Sequence, residues 1–174
     1  MDTAQLSVRA ATPEDEPFLR DVYATTRAAE LAAVPWNEGQ KRAFCDQQFD
    51  AQIADYRRTF RETEDLVVCH GATAVGRILK ALTRNEFILL DFVLMPEHRN
   101  RGWGSFLLGM MQDEARTALV PIVLYVELHS PAVAFYRRHG FVITGEDSLR
   151  FAMKWVHSPG NGGSVPAQSK NQQR

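Results

Sequence analysis

The sequence predicts a mixed α/β fold with one sheet, mostly antiparallel and partly parallel, in the order β-α-α-β-β-β-α-β-α-β-β. Three observations predict it. Residues 87–95 are almost continuously apolar, interrupted by Asp91 and stopped by Pro96, and a run that short reads as a strand buried on both faces. From Trp103 the apolar spacing becomes helical, with Trp103, Phe106, Leu107, Met110 and Met111 on one face. A second apolar run at 121–128 follows that helix, and a strand-helix-strand connection makes it parallel to the first.

The remaining elements follow in order. Residues 6–10 suit a short strand. Thr12-Pro13-Glu14-Asp15 starts a helix, with Thr as cap, Pro at the first position and an acid three after the cap. That helix runs to about Ala33 and buries Phe18, Leu19, Val22, Tyr23 and Leu31. Pro35-Trp36 ends it, and Asn37, with Gln40 three residues on, caps a second helix that ends near Phe60. On it Gln48, Gln52 and Tyr56 lie four apart and share a face. Phe44, Phe49, Ile53 and Tyr56 read as its buried side, leaving the amides in water or against a site. Arg57, Arg58 and Arg61 complement the helix dipole.

Residues 66–70 and 74–82, turning at Gly71 and again at 83–86, form an antiparallel meander into the run at 87–95. His70 reads as a solvated turn residue and Tyr125 as core. Ser130-Pro131 opens a short helix, and residues 141–144 and 149–156 complete the sheet as a hairpin around 145–147. From His157 onward the large apolar side chains are gone except Val165, so a disordered tail at 157–174 is expected behind a domain at 1–156.

A chain of 174 residues suits one domain with a real core. A net charge of -1 exerts no global pull toward nucleic acid or an anionic membrane. No stretch approaches the about 18 apolar residues of a membrane span, and no basic-flanked apolar run opens the chain, so a cytoplasmic protein without a signal peptide is expected. Cys45 and Cys69 sit in apolar patterns and read as buried free thiols. The cysteines and histidines have no zinc spacing, so no metal is expected.

Chemistry concentrates at Arg99-Asn100-Arg101-Gly102-Trp103-Gly104, between the apolar strand and the helix. Glycines let the backbone turn tightly, and the first N–H groups of a helix lack intrahelical partners, so such a loop can cradle a phosphate or simply start the helix. A dinucleotide fingerprint would need glycine where Leu107 stands, and an ATPase loop would need a lysine that Gly104-Ser105-Phe106 lacks. Asp91 and Glu127 stand out because a charge in a buried strand is costly unless it serves something; each is either functional or satisfied by an arginine or backbone N–H.

The R-x-x-G-x-G of Arg99 to Gly104, after a strand ending Leu94-Met95-Pro96, resembles the coenzyme A signature of the GNAT superfamily of N-acetyltransferases. Ala132-Val133-Ala134-Phe135-Tyr136-Arg137-Arg138-His139-Gly140-Phe141 is similar to that superfamily's A-x-x-[LF]-Y-x-x-x-G-F segment. The resemblance spans roughly residues 6 to 156. It implies a GNAT-like acyl-CoA N-acyltransferase fold with splayed central parallel strands, and acetyl-CoA as cosubstrate.

On that resemblance, the backbone of Asn100, Arg101, Gly102, Trp103, Gly104 and Ser105 takes the pyrophosphate, with Arg99 and Arg101 adding positive potential. The backbone of Phe92, Val93 and Leu94 pairs with the pantetheine arm, and Val93 or Leu94 N–H faces the oxyanion. His129 and Ser130 stand where the superfamily often has an asparagine contacting the arm. Tyr136 is the general acid for the leaving thiolate, or else an aromatic packing its helix between Phe135 and Phe141. Asp91 or Glu127 binds the amine or takes its proton. Trp36, Gln48 and Gln52 line the acceptor.

The function implied is transfer of an acetyl group from acetyl-CoA to a primary amine of a small molecule or protein. The alternative class is a non-catalytic acyl-CoA-binding or regulatory module of the same fold. The expected partner is an amine acceptor, not nucleic acid or membrane, with a homodimer left open.

Overall fold

A computed structural model describes residues 3–157, so the tail expected at 157–174 lies, except for His157, outside the described residues. The described elements are β1 (Leu6–Ala10), a 3-10 turn (Pro13–Asp15), α1 (Glu16–Ala32), α2 (Glu38–Thr59), β2 (Thr63–His70), β3 (Thr73–Leu82), β4 (Phe87–Leu94), a second 3-10 turn (Pro96–His98), α3 (Trp103–Ala118), β5 (Ile122–Glu127), α4 (Ala132–Arg138), β6 (Val142–Glu146) and β7 (Arg150–Trp155). The seven-stranded sheet has the order β1-β2-β3-β4-β5-β7-β6, antiparallel throughout except where β4 meets β5.

The helix starts are local chemistry. Asn37 and Gln40 cap α2 reciprocally: the Gln40 N–H donates to Asn37 Oδ1 at 2.9 Å and the Asn37 N–H to Gln40 Oε1 at 3.0 Å. Asp15 accepts the Thr12 N–H at 2.8 Å and a two-point pair from Arg9 at 2.7 Å, tying the entry of α1 to β1.

Each face of the sheet carries its own core. Leu107, Leu108, Met111 and Tyr136 pack with Phe87, Leu89, Ile122, Leu124 and Met153, putting α3 and α4 on one face. Leu19, Tyr23, Leu31, Cys45 and Phe49 pack with Val67 and Cys69, putting α1 and α2 on the other. Both cysteines are buried free thiols. Arg20 ties the two helices through Asp50 at 2.6 Å, and the Tyr23 and Phe49 rings meet edge-on at 5.9 Å. Among the described residues no helix is long and apolar enough to cross a membrane.

Several expectations need correction. Tyr125 is 58% exposed, not core. Leu124 and Val126 take the α3 side of β5, so strand alternation turns Tyr125 to the other face, where the Arg150 guanidinium lies 5.5 Å from its ring. His70 is stacked on Trp103 at 4.7 Å rather than solvated. The last hairpin turns at residues 147–149, with Gly145 and Glu146 inside β6; the Asp147 carboxylate accepts the N–H groups of Leu149 and Arg150 at 2.8 and 2.7 Å. Only the start of β4 is fully buried, at Phe87 and Leu89, because the strand loses its β5 neighbour beyond that point.

Candidate active site

The pairing of β4 with β5 runs through Phe87↔Ile122, Ile88↔Val123 and Leu89↔Leu124 and then stops. Residues 90–94 continue alongside β3 but have no partner on the β5 side, so a strand-edge of backbone groups faces a gap. Gly76 on β3 makes the approach of this segment possible: a β-carbon there would lie 2.4 Å from the Val93 carbonyl oxygen.

The loop after β4 is shaped by two left-handed residues, Asn100 at φ 60° and Gly102 at φ 80°. Asparagine tolerates that region and glycine occupies it freely, and such alternation turns successive N–H groups into one concavity. Gly102 caps α3, whose first N–H groups point into the same space. Arg99 anchors the loop by donating from Nε to the Leu94 carbonyl at 2.8 Å. Gly104 has no positive φ, and a β-carbon on it would meet the Phe135 ring at 3.6 Å, across the cleft from α4.

Between this loop and α4 lies a groove of about 560 Å³, lined among others by Phe92, Leu94, Asn100, Gly104, Phe135 and Tyr136. Tyr136 is 8% exposed and held edge-on between Phe135 and Phe141, each 5.3 Å away. Burial, and secondarily the charge of Asp91, push its phenol above the ordinary tyrosine value, so it remains a proton donor at neutral pH.

On the opposite face a bulge decides the chemistry. Lys80 pairs with Leu89 and Leu79 with Asp91, leaving Leu90 unpaired. The extra residue reverses the alternation, so Asp91 leaves the face of Leu89 and turns toward α1 and α2. There Arg77, its side chain 0% exposed, holds Asp65 at 2.6 and 2.8 Å and reaches Asp91 at 3.3 Å. Burial raises the Asp91 carboxyl to about 6, with Arg77 opposing and Asp65 adding to the rise. Tyr56 is raised to about 12, by burial first and then by Asp91. Tyrosines on both sides of the sheet, Tyr56 and Tyr136, feel the Asp91 charge at the level where the strands part.

Residues 61–143 match the family described as Acetyltransferase (GNAT) domain. That match covers just under half of the chain. Solved structures share its fold. The PaiA N-acetyltransferase of Thermoplasma acidophilum, in complex with coenzyme A, is 20% identical over 87% of this chain and 99% of its own, with a TM-score of 0.68. An acetyltransferase of Thermus thermophilus is 18% identical over 90% of this chain and 100% of its own, TM-score 0.66. Arabidopsis thaliana Naa50, in complex with the bisubstrate analogue CoA-Ac-MVNAL, is 17% identical over 88% of this chain and 99% of its own, TM-score 0.60. No curated protein matches the chain significantly.

The groove gathers most of the expected donor side: Phe92, Leu94, Arg99, Asn100, Gly102, Gly104, Ser105 and Tyr136 all line it. Trp103 does not belong with them by its side chain. Its ring is 3% exposed, stacked between His70 at 4.7 Å and His98 at 5.6 Å, because it is the first apolar residue of the buried α3 stripe. Arg101 also turns away, its guanidinium on the Trp103 ring at 5.4 Å and donating to the Glu97 carbonyl at 3.0 Å. Val93 pairs with Arg77 on β3. Ser130 Oγ accepts the Ala132 N–H at 3.2 Å, so it caps α4, while His129 is exposed before it.

On the acceptor side, Glu127 is exposed at the end of β5 on the Tyr125 face. Gln48 is half-buried on α2, and the Gln52 side-chain oxygen is buried without a hydrogen-bond partner. Trp36 is 40% exposed and packs on Phe44 at 5.4 Å, ahead of α2. Sequence reasoning missed Phe135 and Arg138 in the groove, and Asp65 and Arg77 behind Asp91. Arg138 lies three residues after Phe135, one turn along the same helix face, which was a legible signal. Arg77 gave none, since nothing local says that an arginine within a strand will be fully buried.

Proposed function

We propose that this protein is a coenzyme A-dependent N-acetyltransferase that moves an acetyl group from acetyl-CoA to a primary amine of a small molecule or a protein. One observation carries the reading: a single groove joins the N–H cradle at Asn100 to Ser105, the unpaired edge of β4 and the Tyr136 phenol. A pyrophosphate suits the cradle, an extended amide-bearing arm suits the strand edge, and a departing thiolate suits the phenol.

In this reading the amine nitrogen bonds to the acetyl carbon and the carbon–sulfur bond breaks. N–H groups of Val93 or Leu94 hold the oxyanion. Tyr136 supplies the proton that the sulfur gains, Asp91 receives the proton that the nitrogen sheds, and exchange with water resets both. An Asp91 carboxyl raised to about 6 is ionised at neutral pH yet more basic than an ordinary aspartate. Gln48, Gln52 and Tyr56 on α2 form the wall against which the acceptor rests, while Trp36 packs on Phe44 toward the other end of that helix. The Naa50 neighbour is seen with a peptide-bearing analogue, so peptide amines join small primary amines as acceptors to try.

The test is calorimetry with coenzyme A, then release of free thiol from acetyl-CoA across an amine and peptide panel. Tight coenzyme A binding with amine-dependent thiol release is expected. Binding with no turnover on any acceptor would make the chain a binding module, and no binding would overturn the reading entirely.

A further inference from the structure

Arg77 has three polar contacts, and they are unequal. Its Nε and one terminal nitrogen hold both oxygens of Asp65 at 2.8 and 2.6 Å. The other terminal nitrogen reaches one oxygen of Asp91 at 3.3 Å. One cation therefore serves two carboxylates, and the two-point pair goes to the wetter of them: the Asp65 side chain is 31% exposed, that of Asp91 14%. Solvation alone would choose the reverse, since the drier carboxylate gains more from a close counter-charge. The Phe49 ring, 5.4 Å from the guanidinium carbon, covers the cation on the α2 side.

We propose that Asp65 and Arg77 are positioning residues for Asp91: by occupying the two-point face of the guanidinium, Asp65 leaves Asp91 with a single long contact to the cation, so that its carboxylate can accept the acceptor amine's proton. This rests on the reading of Asp91 as that proton acceptor. The groups around Asp91 fit the assignment. Tyr23 on α1, Tyr56 on α2 and Tyr136 on α4 all have phenols raised by burial and are neutral in the working range. The charges are Asp65 on β2, Arg77 on β3 and, facing Tyr56, Arg150 on β7. Burial raises Asp91 most, Arg77 opposes that rise and Asp65 adds to it, so a change in how the guanidinium is shared moves the pH at which Asp91 is free to act.

Asp65→Asn tests this, because it keeps the side-chain shape and one acceptor for Arg77 while removing the competing charge. The whole chain is labelled with carbon-13 and side-chain carboxyl resonances are followed against pH, Asp91 being assigned by its disappearance in Asp91→Asn. With Asp65 neutral, the guanidinium is freed toward Asp91 and a like charge is gone. The Asp91 midpoint should then fall by roughly one pH unit, the low end of what a neighbouring opposite charge does. The acidic limb of kcat/KM should move with it. If Asp65 merely braced the sheet, its variant would melt earlier and the Asp91 midpoint would stay in place, which would overturn the proposal. An acidic limb that persists in Asp91→Asn would instead overturn the proton-acceptor reading, while the carboxyl titration still decides the pairing.

Discussion

Gly76 and Val93 approach so closely that the missing β-carbon of Gly76 would lie 2.4 Å from the Val93 carbonyl oxygen and 2.8 Å from a Leu94 methyl. This contact seats β4 against β3 in the stretch where β5 no longer supports it. Gly76→Ala should therefore shift the groove edge. Overpacking of this kind costs about 1–3 kcal/mol, which in a domain of this size is about 2–12 °C of melting temperature. Coenzyme A affinity should fall with it. An unchanged melting temperature would mean the two backbones do not meet this way in solution.

Gly102 and Gly104 should separate in their effects. Gly102 sits at φ 80°, so Gly102→Val must force a branched side chain into the left-handed region, at a cost of at least about 1–2 kcal/mol, and turn the first N–H groups of α3 out of line. It should lose both stability and coenzyme A affinity. Gly104 has room for a β-carbon, 3.6 Å from Phe135, but that carbon projects across the groove. Gly104→Val should lose affinity while melting close to wild type. Calorimetry and thermal unfolding on the pair would check this, and equal affinity losses without any difference in stability would remove the strain argument.

Tyr136→Phe keeps the ring contacts with Phe135 and Phe141 and deletes one hydroxyl. If the phenol protonates the leaving thiolate, kcat should drop by about 10²-fold, the lower end for general acid catalysis. Acetyl-CoA affinity should be nearly unchanged, and the deficit should shrink with a donor whose thiol leaves more easily. Wild-type kcat, with chemistry shown to be rate-limiting, would reduce Tyr136 to packing.

Asp91 predicts opposite pH trends for activity and for stability. Ionised Asp91 is the working form, so kcat/KM should rise through about pH 6 and level off above it. Asp91→Asn should be slower and lose that limb. Stability runs the other way. Because the folded carboxyl is raised above its ordinary value, its contribution is fully present below the unfolded value and is lost as pH rises through about 6. The melting temperature of Asp91→Asn, measured relative to wild type, should therefore increase between pH 4 and pH 7. A difference that stays flat over that range would place the Asp91 ionisation elsewhere.

Much of the donor side was legible because it is local. The glycine loop, the caps at Asn37 and Ser130 and the period change at Trp103 are each set by residues within one or two turns of one another. The acceptor side was less so. Trp36, Gln48 and Gln52 came only from the resemblance, since no local pattern says which face of α2 meets a ligand, whereas the helical spacing from Trp103 already put its ring with the core and left only its backbone to the loop.

The sequence by itself determined which elements form, their order, and that β4 and β5 run parallel, since helical and strand periods, capping residues and crossover handedness are short-range or topological constraints. Only the tertiary structure decided that β4 bulges at Leu90, that its pairing with β5 ends at Leu89, that Arg77 spends its strong contact on Asp65, and that Tyr125 faces outward. Each of those depends on register and burial between segments distant in the chain. A one-residue slip in register reverses every side chain beyond it, and a run of apolar residues around Asp91 looks the same before and after that slip.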